Sequence, residues 1–302
     1  LFILITFFKK MKQLIGTGVA LVTPFHQDGA VDYAGLEKLV HYSIDGGVEY
    51  LVILGTTAEA ATLSKEEKKQ VIETIKKANA NRVPMVLGIG GNNTAEVIKE
   101  YQETDLSDYY AILTVSPYYN KPNQEGIYQH YKAIASATTA NIILYNVPGR
   151  TGSNIAPETT IRLANEFKNI VAIKEASPNF LQSTDILRMN TREDFHVISG
   201  DDEYALPMTL AGGSGVISVI GQGIPTVFTA MIRQALNKEV DAAYASHYKM
   251  VEITRAIFEE GNPCGIKAVL HNKGVCSPYT RLPLTPATEK LTAKINQLVT
   301  EI

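Results

Sequence analysis

A lysine near the end of an apolar run is the residue in this sequence that best suggests covalent chemistry. Lys174 closes the run Ile-Val-Ala-Ile-Lys at 170–174. Strand alternation places it on the same face as Ala172, a small residue that leaves room beside it. If that face points inward, burial disfavours the ammonium ion and favours the free amine, which attacks carbonyl carbons. If it points outward, Lys174 pairs with a carboxylate on a covering helix, and the run alone does not decide between the two.

Three hydroxyl groups at the ends of other apolar runs suit the proton transfers that imine chemistry needs. Thr57 follows the run at 50–55, Tyr119 follows the run at 111–117, and Tyr145 lies within a third run. Hydroxyls relay protons between an amine, a carbonyl oxygen and water. Threonine and tyrosine are also ordinary strand residues, so their presence alone is weak support for catalysis.

Arg150 is the candidate ligand for an acidic substrate. It lies in a Pro-Gly-Arg-Thr-Gly turn, where its planar fork of donors suits a carboxylate; a surface arginine without a ligand is the alternative. The six histidines show no paired metal-ligand spacing, which disfavours a zinc-dependent aldolase. Asp201-Asp202-Glu203 offers oxygen atoms for Mg²⁺, but consecutive side chains alternate in direction, so we expect a helix start instead. The sequence therefore predicts chemistry without a metal or cofactor.

Eight short apolar runs alternate with amphipathic stretches from Ile15 onward. Each run is rich in Val, Ile and Leu, which is typical of buried parallel strands; the runs cover 15–24, 50–55, 84–90, 111–117, 141–148, 170–176, 195–202 and 215–221. Between them, Ser64 and Glu67 form a capping-box pattern and Pro157 suits a first helical position. The alternation predicts a TIM (β/α)8 barrel, whose active site lies at the C-terminal ends of its strands. A doubly wound sheet is disfavoured because no Gly-x-Gly-x-x-Gly turn follows the first run.

The pattern also divides the chain. We expect the catalytic barrel to span 11–237 and a small C-terminal helical extension to span 238–302, because no strand-like run follows Lys238. Residues 1–10 contain an apolar run far short of the ~18 residues that a membrane helix needs, with no basic leader before it and no cleavage site after it. We interpret them as upstream translated sequence or an expression remnant outside the fold, with a peripheral membrane anchor as the alternative.

The composition indicates which binding partners and which cellular compartment to expect. The 302 residues carry a net charge of −3 and no block of Lys and Arg, so we expect neither nucleic acid nor membrane as a partner. Only Cys264 and Cys276 are present, too few for a disulfide framework, which favours a reducing cytoplasmic location.

At these residues the chain closely resembles the dihydrodipicolinate synthase family, within the N-acetylneuraminate lyase superfamily. The resemblance runs from about Met11 to the C-terminus through ordered motifs, GTT at 55–57, SPYYNKPNQEGIYQHYKAIA, YNVPGRTG, IKEAS, SGDD and GVISV. It implies the condensation of pyruvate with aspartate 4-semialdehyde on the diaminopimelate route to lysine.

The resemblance assigns catalytic roles to four of the residues above. Lys174 would form an imine with pyruvate, and Thr57, Tyr145 and Tyr119 would relay protons. In the family, the tyrosine that matches Tyr119 reaches into a neighbouring subunit's site. This implies at least a dimer and usually a homotetramer, a dimer of dimers.

The resemblance also assigns substrate contacts. Thr56 and the backbone N–H of Thr57 would hold the pyruvate carboxylate, and Arg150 would hold the carboxylate of the aldehyde. Gly200 and Ile217 would supply backbone contacts around the lysine. The chain departs from the family at two positions, 58 and 60, where alanine replaces the common glycine and serine, but no catalytic group is lost.

Some members of the family bind lysine as an inhibitor, and three residues match those that bind it: Asn92, Glu96 and Tyr118. Lys65 and Lys68, however, replace histidines of the inhibited type. Added positive charge opposes an incoming lysine. We therefore expect weak or absent inhibition by lysine.

Two other functions remain open. Another pyruvate-dependent lyase of the superfamily, acting on N-acetylneuraminate or a keto-deoxy-sugar acid, would also use a barrel lysine. Arg150 and the Thr56–Thr57 pair favour a short aldehyde that carries a carboxylate, since sialate lyases typically have serine in place of Thr56. A non-catalytic barrel that binds a small acid is the third hypothesis, and the lysine with its three hydroxyls argues against it.

Overall fold

The eight predicted strands are all present in the computed structural model, which describes residues 13–302. They form a closed parallel barrel in chain order, so the prediction of a TIM barrel is confirmed. Each strand is shorter than its apolar run, because the last residues of the run leave the sheet and enter the loop that follows. The strands are β1 Gly16–Ala20, β2 Tyr50–Ile53, β3 Met85–Gly88, β4 Ala111–Val115, β5 Ile142–Asn146, β6 Ile170–Glu175, β7 His196–Ser199 and β8 Gly215–Ser218.

Helices alternate with the strands, and their apolar faces are buried. The helices between β1 and residue 237 are Tyr33–Asp45, Lys65–Asn79, Thr94–Glu103, Gln124–Ala137, Pro148–Thr151, Pro157–Glu166, Phe180–Met189, Ala205–Leu210 and Pro225–Leu236. Short 3₁₀ turns occupy Thr56–Ala58, Ala60–Thr62 and Ile220–Gln222.

Three further helices confirm the predicted C-terminal helical extension: Val240–Ala256, Cys264–Asn272 and Glu289–Thr300. The middle one has no clear helical pattern in the sequence. Its residues from Cys264 to Leu270 are all buried, so it lacks the period of 3.6 residues that identifies a helix with one solvent-facing side.

Local sequence signals fix where the helices begin. The Ser64 side chain accepts a hydrogen bond from the Glu67 N–H at 3.1 Å, and the Glu67 carboxylate accepts one from the Ser64 N–H at 2.9 Å. This is the predicted capping box, which satisfies two otherwise unpaired donors. Pro157 is the first residue of its helix, where its missing N–H costs nothing.

The described residues divide into two compact units. One unit contains Pro84–Ile217 and carries most of the predicted site residues: Tyr119, Tyr145, Arg150, Lys174, Gly200 and Ile217. The other contains Gly16–Val83 with Ser218–Ile302 and carries Thr56 and Thr57. The boundary at 237/238 stays a prediction.

Within residues 13–302, no helix has the length and apolar character needed to cross a bilayer. Our interpretation of residues 1–10 concerns a segment outside the described residues. Cys264 and Cys276 are both unpaired and buried.

Candidate active site

Lys174 lies in β6 and is buried, with 5% of its surface exposed. Its register partner in β5 is Tyr145, and its Nζ atom lies 4.4 Å from the centroid of the Tyr145 ring. Gly200, which follows β7, passes so close that an added Cβ atom would lie 3.1 Å from both Cγ and Cε of Lys174. Only a glycine permits this approach without displacing the lysine side chain.

The sequence left open whether Lys174 points into the barrel or toward a covering helix, and the structure shows which face of β6 it occupies. The next residue, Glu175, accepts a hydrogen bond from Gln182 on the helix Phe180–Met189, so Lys174 points to the opposite face of the sheet. Among the described residues, no carboxylate forms an ion pair with Lys174. A buried lysine without a counter-charge is costly and is typical of functional sites.

Tyr145 offers a hydroxyl beside this amine. The residue is 6% exposed, and across residues 13–302 its hydroxyl has no hydrogen-bond partner. A phenol both donates and accepts a hydrogen bond. The group is therefore available to a ligand bound at Lys174.

Arg150 lies on the four-residue helix Pro148–Thr151, directly after β5, and is exposed. In the described part of the chain its guanidinium has no ion-pair or hydrogen-bond partner. The turn itself is held in place, because the Ser153 hydroxyl donates a hydrogen bond to the Pro117 carbonyl at 2.9 Å. A free guanidinium on a fixed turn is suited to a carboxylate ligand.

Tyr119 is not brought to Lys174 within this chain. Its side chain is 88% exposed, and its backbone has a φ of 72°, a left-handed conformation that costs roughly 1–2 kcal/mol outside glycine. The Asn92 side chain fixes the preceding residue by donating a hydrogen bond to the Tyr118 carbonyl at 3.1 Å. Strained residues of this kind cluster at functional sites, so Tyr119 remains a candidate for contact with a second subunit.

Thr57 lies in the second compact unit, in the 3₁₀ turn after β2, and is 3% exposed. Its hydroxyl accepts a hydrogen bond from the Asn262 amide at 2.9 Å. The Asn262 Oδ1 atom is buried and has no partner in the described residues. Thr56, the preceding residue, is exposed. Sequence reasoning missed Asn262, because an Asn-Pro pair ordinarily indicates only a turn.

A buried ion pair supports the turn that carries Thr56 and Thr57. Lys267, with no exposed surface, lies 2.5 Å from the Glu59 carboxylate and donates a second hydrogen bond to the Tyr279 carbonyl at 2.8 Å. The other Glu59 oxygen accepts the Arg281 N–H at 2.9 Å. Burial lowers the pKa of Lys267, and the Glu59 carboxylate opposes that shift.

The remaining predicted residues have different surroundings. Ile217 is 1% exposed in β8, and its substrate contact stays a prediction. Asp201 accepts hydrogen bonds from the backbone N–H groups of Glu203 and Tyr204 at 2.8 and 3.3 Å, just before the helix Ala205–Leu210, as expected for a helix start. In residues 13–302 there is no group of three or more His, Cys, Asp or Glu side chains that could hold a metal ion.

The residues matched to a lysine-binding site are only partly connected. Asn92 contacts Tyr118 as described above, while Glu96 lies exposed in the first turn of the helix Thr94–Glu103. Lys65 and Lys68 begin the helix Lys65–Asn79 in the other compact unit. Their effect on lysine binding stays a prediction.

Comparison with known proteins identifies the relatives of this chain. It is 54% identical to the 4-hydroxy-tetrahydrodipicolinate synthase of Flavobacterium psychrophilum over 286 residues, which cover 95% of this chain and 97% of that protein. It is similar to the crystal structure of the chloride-inhibited dihydrodipicolinate synthase from Acinetobacter baumannii complexed with pyruvate, with 41% identity and a TM-score of 0.90 over 95% of this chain and 98% of that one.

A monomeric dihydrodipicolinate synthase variant is also similar, at 36% identity and a TM-score of 0.93 over 96% of this chain and 97% of that one. Residues 13–302 match the model of the dihydrodipicolinate synthetase family. The chain therefore belongs to that family.

Proposed function

We propose that the chain acts as a 4-hydroxy-tetrahydrodipicolinate synthase, condensing pyruvate with aspartate 4-semialdehyde on the diaminopimelate route to lysine. Its relatives are lyases, and it is an enzyme of that class. The observation that carries the chemistry is the position of Lys174, which is buried beside the Tyr145 ring and pairs with no carboxylate among residues 13–302.

In this proposal the Lys174 amine attacks the keto carbon of pyruvate and water is lost, which forms an imine. The imine nitrogen then accepts electrons as the methyl carbon of pyruvate loses a proton, and an enamine results. The enamine carbon attacks the aldehyde carbon. The amine of the aldehyde substrate finally displaces Lys174, closing the ring and freeing the enzyme. The cycle needs no cofactor.

Proton transfers accompany each of these steps, and three hydroxyls serve them in this proposal. Tyr145 has direct structural support for this role, because it is the register partner of Lys174 in β5 and its hydroxyl has no hydrogen-bond partner among residues 13–302. Thr57, with its hydroxyl fixed by Asn262, and Tyr119 complete the relay that the family resemblance implies.

Substrate binding follows from the carboxylates of both substrates. Thr56 and the Thr57 N–H hold the pyruvate carboxylate, while the free guanidinium of Arg150 holds that of the aldehyde. Gly200 and Ile217 line the lysine through their backbone.

The proposed assembly is a homotetramer built from two dimers, in the cytoplasm. The exposed ring and constrained backbone of Tyr119 support its use by a second copy, and the two unpaired cysteines support a reducing compartment. Light scattering of the purified chain tests the assembly. A fully active monomer would contradict the role of Tyr119 in a neighbouring site.

Lysine inhibition is proposed to be weak or absent, because Lys65 and Lys68 place positive charge where the inhibited type has histidine. Turnover measured with increasing lysine tests this directly. Inhibition at low-millimolar lysine or below would contradict it.

The test of the proposed function combines borohydride trapping with a turnover assay. Reduction in the presence of pyruvate should add one pyruvyl group, which peptide mapping should locate on Lys174 and not on Lys267. A coupled assay should show consumption of aspartate 4-semialdehyde. A Lys174 adduct without this turnover would favour the sister lyases, and no adduct would favour a non-catalytic barrel.

A further inference from the structure

A buried carboxylate lies back to back with the proposed catalytic pair. Asn146 and Glu175 are register partners, each one residue after Tyr145 and Lys174 respectively. Glu175 accepts a hydrogen bond from Gln182 on the helix Phe180–Met189, so Asn146 and Glu175 lie on the helix-facing side of β5 and β6. Since successive strand residues face opposite sides, Tyr145 and Lys174 lie on the other side. Glu175 is 1% exposed and Asn146 has no exposed surface.

Glu175 is satisfied by amide and backbone donors. The Asn146 Nδ2 atom lies 3.0 and 2.9 Å from its two oxygens, Gln182 Nε2 lies 2.8 Å from one, and the Ser177 N–H lies 2.7 Å from the other. No cation pairs with it in the described residues. Burial raises the pKa of this carboxyl group, and the amide donors oppose the rise. A buried acid without a counter-charge costs free energy, and a simple core position would be served by an apolar residue.

The same cluster fixes both ends of the segment that carries Arg150. That segment leaves β5 at Asn146, whose Oδ1 accepts the Ile155 N–H at 3.0 Å. Asn154 closes the other end, because its Oδ1 accepts from Asn146 at 2.8 Å and from Gln182 at 3.1 Å. Its amide returns a hydrogen bond to the Gln182 carbonyl at 2.7 Å. The cluster of Asn146, Asn154, Glu175 and Gln182 therefore ties the Arg150 turn to the strand that carries Lys174.

We propose that Glu175 is a positioning residue that sets the distance between the Arg150 guanidinium and Lys174, and thereby the affinity for the carboxylate-bearing aldehyde. The inference rests on the proposed function of the site. Glu175 itself does not touch substrate, since its side chain lies on the opposite face of β6. Its effect reaches the reaction only through the Arg150 turn, whose small displacements weaken a fixed carboxylate contact.

The identity of the acid matters, because a carboxylate only accepts hydrogen bonds. In Glu175→Gln, the new NH₂ group would face the NH₂ groups of Asn146 and Gln182, and at least one contact would break. We expect the KM for aspartate 4-semialdehyde to rise about tenfold or more, while the KM for pyruvate and the rate of borohydride-trapped adduct formation stay within about twofold.

The chain offers a matched control in Glu49→Gln. Burial also raises the pKa of Glu49, which is bonded to the Thr17 N–H at 2.7 Å and to Arg233 at 2.7 Å. It directly precedes β2, and among the described residues its bonds to Thr17 and Arg233 do not involve the Arg150 turn. This variant should lose stability without a selective change in the KM for the aldehyde.

Two further variants test the proposal if Glu175→Gln does not fold. Asn154→Ala removes a half-buried member of the cluster and should raise the same KM by a smaller factor. The exchange Glu175→Gln with Gln182→Glu keeps one acid and one amide at 2.8 Å and should lower the aldehyde KM again.

The outcomes separate the two proposals. No turnover by the wild-type chain would overturn the proposed function and this inference together. Turnover with an unchanged aldehyde KM in Glu175→Gln or in Asn154→Ala would overturn only the inference. Equal rises in the KM values for aldehyde and pyruvate would also overturn it, because they would indicate general loosening of the fold.

Discussion

Two lysines are buried among residues 13–302, and their surroundings differ in one respect. Lys174 is 5% exposed and Lys267 has no exposed surface. Both Nζ atoms lie near the centroid of an aromatic ring, 4.4 Å from that of Tyr145 for Lys174 and 4.3 Å from that of Phe25 for Lys267. Lys267, however, pairs with Glu59 at 2.5 Å, whereas no described carboxylate pairs with Lys174.

Burial alone therefore does not identify a reactive lysine. A buried ion pair satisfies its charges and leaves no free amine for a substrate. A buried lysine with no carboxylate partner lacks the compensation of an ion pair, so a role other than fold stability explains its presence better. We infer that Lys267 stabilises the fold and Lys174 serves chemistry, and four predictions test or extend this division.

The largest expected effect is on turnover in Lys174→Met. Loss of the imine-forming amine should reduce turnover by at least about 1,000-fold and abolish the pyruvate adduct. Stability should not fall, because an unpaired amine is replaced by an apolar side chain of similar length. The coupled assay and urea unfolding measure the two quantities. Turnover above about 1% of wild type would break the division between the lysines.

Lys267→Met should lower the stability of the fold but leave adduct formation on Lys174 intact. It leaves Glu59 buried and unpaired, so the free energy of unfolding should fall by about 3–5 kcal/mol, measured by urea denaturation. The double variant Lys267→Met/Glu59→Gln removes the orphaned charge and should recover part of the loss. The folded fraction should still form the adduct on Lys174. A stable Lys267→Met that forms no adduct would reverse our assignment.

His130 provides a third way to bury an ionisable group, namely to keep it neutral. Burial lowers its pKa from 6.5 to about 4. As the pH falls below 6.5, His130 takes up a proton in the unfolded chain but stays neutral in the folded one. The free energy of unfolding is therefore highest above pH 6.5 and decreases as the pH falls toward 4. At about 1.4 kcal/mol per pH unit, the loss is about 3 kcal/mol.

The variant His130→Gln, which can keep a hydrogen bond to Thr94, should remove this loss. Urea unfolding of wild type and variant at several pH values between 4 and 7 measures it as a difference, so that other titrating groups cancel. If the free energy of unfolding changed equally with pH in wild type and variant, His130 would not stay neutral in the folded protein.

The smallest expected effect is in Asn262→Ala, which removes the amide that donates a hydrogen bond to the Thr57 hydroxyl at 2.9 Å. Loss of the amide that fixes the Thr57 hydroxyl should lower kcat about tenfold, equal to about 1.4 kcal/mol. In a Thr57→Val background, Asn262→Ala should have little further effect on kcat. Independent, additive losses would contradict the proposed link.

Much of the barrel was predictable because its signals are local. Runs of Val, Ile and Leu identified all eight strands, and Ser64 with Glu67 identified a helix start. The position of Lys174 late in its run identified the candidate nucleophile, but not which face it would occupy. That depends on contacts with Tyr145 and Gly200, which alternation alone does not reveal.

The features missed by the sequence involve partners far apart along the chain. Asn262 and Thr57 are separated by 205 residues, and Lys267 and Glu59 by 208. No local period records such a pair. The carboxylate of Glu175 was also overlooked, because an acidic residue beside a lysine at a strand end ordinarily indicates solvent exposure.

The alternating register of β5 and β6 also limits how these strands can change in length. Tyr145 and Lys174 face one side, and Asn146 and Glu175 face the other. Because the pattern repeats every two residues, inserting one amino acid into either strand would swap the faces of everything beyond it. A single insertion before Tyr145 or Lys174 would turn that residue and the one after it to the wrong faces of the sheet. We therefore expect insertions to be tolerated only in the connecting loops.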